Sequence, residues 1–173
     1  MKESREQGDS TPTGSILWDS SWPGFANEDE RRLLFGYLED RFGIRANIFA
    51  DFDLFGRRKS WWLLRKTVGV SLPVRLKVTQ VGLKAFDKVG NYLKPATRMM
   101  QLFGHHATKG FWQISEGDFE RLLRGEPLKV ESTMEDGFVI LRLGEHVLGM
   151  GLLLQGMITS RIRKSEAQRM VNE

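Results

Sequence analysis

Residues 137–156, GFVILRLGEHVLGMGLLLQG, limit the fold more than any other part of the chain. Gly137 to Leu143 and His146 to Leu154 are two apolar runs of strand length, and Gly144–Glu145 between them is a hairpin-type turn. Gly149, Gly151 and Gly156 fall in or beside the second run, which implies bulges or tight curvature in a small closed sheet. They are not a dinucleotide fingerprint, because no helix follows and no βαβ unit surrounds them. Leu128 to Ser132 reads as a preceding strand, joined to this hairpin by a turn at Met134-Glu135-Asp136-Gly137. Apolar Val147 to Leu154 is also far too short to span a bilayer as a helix.

Upstream, residues 93–110 (LKPATRMMQLFGHHATKG) organise the middle of the chain. A strand ends at Leu93–Lys94, Pro95 starts a short helix through Phe103, Gly104 stops it, and a polar loop runs to Gly110. Phe111 to Ile114 then reads as a strand. Ser115 with Asp118 three residues on forms a capping-box arrangement for a helix from Glu116 to Arg124. That helix turns Phe119, Leu122 and Leu123 to the core; Gly125 and Pro127 end it.

The N-terminal half follows different patterns. Met1 to Ser15 is polar and turn-rich, a disordered tail by composition, without the apolar centre of a secretory signal. Ile16 to Phe25 carries Trp18, Trp22 and Phe25, an arm expected to pin itself to the core. Asn27 to Phe42 has an N-cap, three acidic residues in its first turn and a Gly43 stop. Leu33, Leu34, Tyr37, Leu38 and Phe42 recur at helical spacing and give it one packing stripe. Ile44 to Phe49 reads as a strand, Val74 to Val81 as a half-buried strand, and Leu83 to Val89 as a short amphipathic helix closed by Gly90. A domain boundary is expected around Gly90–Tyr92. The chain then divides into a tail (1–15), an N-terminal domain (16–91), a C-terminal domain (92–165) and a second tail (166–173).

Charge separates these parts further. The formal total of +4 conceals a −5 balance over residues 1–53, +8 over residues 54–93, and +1 over the rest. Such asymmetry points to a polyanionic partner more strongly than the overall basicity does. Within the basic segment, GRRKSWWLLRK places Trp61 and Trp62 among Arg57, Arg58, Lys59, Arg65 and Lys66. Cations neutralise phosphates and aromatic rings stack on bases. Adjacent strand residues face opposite ways, so one tryptophan is expected inside and the other outside.

Reactive chemistry is sparse. The chain has no cysteine, which removes disulfides, thiolate metal sites and thiol nucleophiles and fits a reducing cytoplasm. Its three histidines, His105, His106 and His146, show neither HxxxH nor HExxH spacing. Asp51 and Asp53 are two isolated turn carboxylates, better explained by solvation than by a cation. No GxSxG elbow or Walker loop is present. The expectation is a protein that is not an enzyme, without metal or cofactor.

With these residues in view, Leu93 to Lys164 resembles a PUA domain, a small RNA-binding pseudobarrel. The likeness rests on LKPATRMMQLFGHHATKG, FWQIS, FERLLRGEPL and the hairpin GFVILRLGEHVLGMGLLLQG. It is most similar to the version at the C-terminus of Sun-family RNA 5-methylcytosine methyltransferases. The two-domain layout also resembles the Nip-seven type ribosome-biogenesis factors, through VRLKVTQVGLKAFDKVGNYLKP and LFGHH. The resemblance implies an α+β protein, with an N-terminal α/β, pre-PUA-like domain followed by a PUA-like β-pseudobarrel with short helices.

It further implies a cytoplasmic, non-catalytic protein that binds structured rRNA or tRNA during maturation, modification or ribosome biogenesis. A Sun-family enzyme needs a cofactor-binding domain and catalytic cysteines, and this chain has neither. The alternative is a protein-interaction adaptor, or an accessory subunit for an RNA methyltransferase or other RNA-processing enzyme. Partners would be RNA, an RNA-modification enzyme or a pre-ribosomal particle, and no membrane. Carried onto this sequence, the family's RNA face comprises Lys94, Arg98, His105, His106, Lys109, Arg161, Arg163 and Lys164. Arg57, Arg58, Lys59, Trp61, Arg65 and Lys66 form a secondary basic patch.

Overall fold

The structure, a computed structural model, describes residues 23–66 and 80–162. Expectations for the 1–15 tail, Trp18, Trp22, most of the strand at 74–81, Arg163, Lys164 and the 166–173 tail lie outside these residues. The described chain is α+β, with three α-helices and two five-stranded sheets.

Helix α1 (Glu28–Phe42) begins as the sequence requires. The Asn27 side chain accepts from the Glu30 amide (2.8 Å), and the Glu30 carboxylate accepts from the Asn27 amide (3.0 Å). Gly43 ends the helix at φ 66°, a left-handed conformation that glycine adopts without a Cβ penalty. The buried stripe is Leu34, Phe35, Leu38 and Phe42; Leu33 is exposed, one position off the expected face.

Ile44 to Phe49 is not a strand: Ala46–Phe49 forms a 3₁₀ turn. The turn brings Phe49 flat against Phe35, with ring centroids 4.8 Å apart, and edge-on to Phe103 at 5.0 Å. A strand would alternate its apolar residues between two faces, whereas the core here accepts them on one.

The first sheet is an antiparallel meander of β1 (Gly24–Phe25), β2 (Phe52–Arg57), β3 (Ser60–Arg65), β4 (Leu83–Val89) and β5 (Tyr92–Pro95). Leu83 to Val89 is therefore a strand and not a helix. Its apolar residues suit either period, and β3 and β5 decide the matter by supplying a hydrogen-bonded neighbour on each side. A bulge (Trp61 opposite Phe86, Trp62 opposite Lys84) makes Ala85 the extra residue, so the consecutive Ala85 and Phe86 are both buried. The arm at Phe25 is tied down as expected: β1 pairs with β2, and Phe25 lies 4.5 Å from the Phe55 ring.

The second sheet runs β6-β8-β9-β10-β7, from β6 (Phe111–Gln113), β7 (Leu128–Lys129), β8 (Gly137–Leu143), β9 (His146–Leu154) and β10 (Met157–Ser160). The β8–β9 hairpin turns at Gly144–Glu145 as the sequence indicated. Two features differ. The strand after Gly156 was not anticipated, and β10 inserts between β9 and β7, so the turn at Met134–Gly137 does not make a hairpin. β6 pairs in parallel with β8.

Helix α2 (Thr97–Phe103) leads into a second 3₁₀ turn at Gly104–His106, so Gly104 continues the coil more tightly and does not end it. Helix α3 (Glu116–Leu123) carries the capping box, with Asp118 accepting from the Ser115 amide (3.1 Å) and hydroxyl (2.8 Å). These bonds hold the Asp118 carboxyl below its ordinary pKa. The stability it contributes is therefore present above the unfolded carboxyl's pKa and lost as pH falls through the lower folded value. Ser115→Ala is expected to cost about 1 kcal/mol at neutral pH and to flatten this acid dependence, measured by urea unfolding at several pH values.

The larger core joins both sheets. Leu34, Phe42, Phe49, Trp61 and Phe86 from one side of the expected boundary pack with Met99, Met100, Ile140 and Met150 from the other. The expected boundary falls on the β4–β5 hairpin, which turns at Gly90–Asn91 before Tyr92 opens β5, and β5 belongs to the first sheet. Arg41 at the end of α1 adds polar ties, donating to the carbonyls of Phe138 (2.8 Å) and Glu135 (2.9 Å) beside β8. A second core lies under α3, with Phe119 and Leu122 against Val139, Leu141, Leu153 and Ile158.

Candidate nucleic-acid interface

Gly149 is the point at which the start of α2 and the segment after β10 come together. Its φ is 153°, and a Cβ there would lie 2.8 Å from both Ile162 Cγ1 and Thr97 Cγ2. The missing side chain lets the start of α2 and the segment after β10 meet over β9. Arg98 follows Thr97 and Arg161 precedes Ile162, so two exposed cations, 63 positions apart in sequence, adjoin the two residues that meet over Gly149.

Side chains on α2 hold this arrangement. Gln101 donates to the Leu148 carbonyl (2.8 Å), and Arg98 donates to the Gln101 side-chain oxygen (3.3 Å). The Arg161 amide donates to the Met150 carbonyl (2.8 Å), which continues the β9 pairing past β10.

The other expected residues are distributed differently. His105 and His106 are exposed on the 3₁₀ turn, with ring centroids 3.9 Å apart, and Gly104 before them packs against Val147 at the start of β9. Desolvation, and then the neighbouring His105, hold the His106 pKa below the usual histidine value, which favours the neutral ring. Lys109 is exposed in the loop whose amides at Thr108 and Lys109 donate to the Phe42 carbonyl at the end of α1 (3.0 and 3.2 Å). Lys94 sits on β5 opposite Asp87, in the first sheet.

The secondary patch is not one patch. Arg57 ends β2 and Arg58 and Lys59 form the β2–β3 turn, whereas Arg65 and Lys66 lie at the opposite end of β3, about 17–20 Å away along the strand. Trp61 and Trp62 are both buried, so neither is the exposed partner expected from alternation. Trp61 enters the larger core and donates to the Glu30 carboxylate (3.1 Å); Trp62 packs with Phe55 and Val81 on the other face. Both faces of the sheet are covered at this point, and alternation alone could not reveal that.

Arg142 was missed. It donates to the Gly104 carbonyl (2.6 Å) and the Ala107 carbonyl (3.0 Å), and its guanidinium lies 4.1 Å from the Phe111 ring centroid. It ties the histidine turn to β8. A lone cation inside the apolar run GFVILRLG was the available signal. Among the described residues no group of three or more metal-binding side chains occurs, and no helix is long and apolar enough to cross a membrane.

No family model matches the chain. It is similar to the ribosomal RNA small subunit methyltransferase F of Aeromonas hydrophila subsp. hydrophila, with 25% identity over 121 residues. That match covers 70% of this chain and 24% of the relative, so the chain spans about a quarter of the relative's length and its likeness is to part of an rRNA methyltransferase.

Proposed function

We propose that this protein binds structured RNA, of the ribosomal RNA class, without catalysing a reaction on it. The meeting of Thr97 and Ile162 over Gly149 carries the reading, because the exposed Arg98 and Arg161 are their chain neighbours and so come from two distant stretches to one region of the surface. The similarity to a ribosomal RNA methyltransferase supports RNA as the partner. The absence of cysteine supports a binding role, since the 5-methylcytosine chemistry of the family it resembles uses cysteines. In this reading residues 92–165 act as the PUA-like unit, and His105, His106 and Lys109 extend its face. Cations at such positions hold phosphates, and the neutral His106 ring offers a hydrogen bond to a base or 2′-hydroxyl.

The test is binding of a stem-loop from small-subunit rRNA across a salt series. Arg98→Ala combined with Arg161→Ala should remove about two phosphate contacts and lower the log–log salt slope by about 1.4–1.8. An unchanged slope would overturn the assignment of this face. A protein partner that survives ribonuclease in a pull-down would favour the adaptor role instead.

A further inference from the structure

We propose that the hairpin end of the first sheet is a separate RNA contact, at which an unpaired base stacks on Tyr92. The proposal rests on the RNA reading above but uses different residues.

The register places the site. Arg57 pairs with Ser60, Ser60 with Asp87, and Asp87 with Lys94, so these four side chains form one row across β2, β3, β4 and β5 on the same face. Two residues from Lys94 along β5, and on that same face, stands Tyr92, opposite Val89. Tyr92 is 76% exposed and Val89 58%, an aromatic–aliphatic pair left in water at the edge of the sheet. The β2–β3 turn adds Arg58 and Lys59, and the Lys88 amide donates to the Lys59 carbonyl (2.7 Å), which fixes the two hairpin ends side by side.

The charge there is one-sided. Asp87 is matched by Lys84 (2.9 Å) and by the Ser60 hydroxyl (2.5 Å). Arg57, Arg58, Lys59, Lys88 and Lys94 have no carboxylate partner among the described ion pairs. The next carboxylate on this face of β2, Asp53, is four residues from Arg57, roughly 13 Å along the strand. An exposed ring beside cations suits a single strand, whose bases are free to stack while its phosphates follow the charges. A duplex offers no free base face, and an acidic protein segment would use the charges without requiring the ring.

The experiment uses the full chain and two RNA probes, a blunt-ended duplex stem and the same duplex with a short oligouridine overhang. The wild type should bind the overhang probe more tightly. Tyr92→Ala should reduce that affinity about tenfold, towards the blunt-stem value, while Tyr92→Phe keeps it. Affinity for the blunt stem should be unchanged in both variants. Arg57→Ala with Lys59→Ala should lower the salt slope for the overhang probe alone. No gain from the overhang, or a gain that Tyr92→Ala retains, would overturn the proposal. So would tight binding of an acidic peptide that displaces neither probe's stem. Failure of the earlier reading would show separately, as loss of the Arg98 and Arg161 effect on the blunt stem.

Discussion

Gly149→Val is expected to destabilise the protein by about 4 kcal/mol and to weaken RNA binding at the same time. Two costs add. A β-branched residue at φ 153° is strained by about 1–3 kcal/mol, and a Cβ at 2.8 Å from Ile162 and Thr97 forces overpacking of similar size. For a chain of this length the melting temperature should fall by about 8–16 °C. Gly149→Ala should show a smaller loss, and adding Ile162→Ala should recover part of it by removing the atoms that the new Cβ meets. RNA affinity should follow the same order, because separating Thr97 from Ile162 also separates Arg98 from Arg161. Equal stability for Gly149→Val and the wild type would rule out this packing.

Arg142→Ala is expected to cost about 3 kcal/mol, measured by urea unfolding. The guanidinium makes two charge-assisted hydrogen bonds to the carbonyls of Gly104 and Ala107 and covers the Phe111 ring. Removing it takes the charged donor from both carbonyls, leaving Gly104 with the Ala107 amide (3.0 Å), and opens space over the ring. Arg142→Lys should recover only part of the loss, since an ammonium cannot reproduce the planar fork over an aromatic face. Hydrogen exchange at the Gly104–Ala107 turn should rise in the alanine variant. Unchanged exchange there would mean that the backbone holds the histidine turn unaided.

Much of the fold was legible because several signals are local. Asn27 with Glu30 and Ser115 with Asp118 satisfy amide donors within three residues, so the two helix starts need no tertiary information. Gly144–Glu145 likewise turns between two apolar runs. The misassigned segments have apolar patterns compatible with more than one conformation. Leu83 to Val89 became a strand because neighbours existed on both sides, and Ile44 to Phe49 became a 3₁₀ turn because Phe35 and Phe103 received the Phe49 ring.

The sequence by itself determined the helix caps, the glycine-turned hairpin and the uneven distribution of charge. These depend on residues close together in the chain. Only the tertiary structure decided which cations share a surface. Thr97 and Ile162, the neighbours of Arg98 and Arg161, meet because Gly149 lacks a side chain, and Arg57 joins Lys94 because four strands place them in one row. Tertiary structure likewise separated Arg65 and Lys66 from Arg57 and buried both tryptophans between covered faces. Strand pairing and packing act between residues far apart in sequence, and no local pattern encodes their outcome.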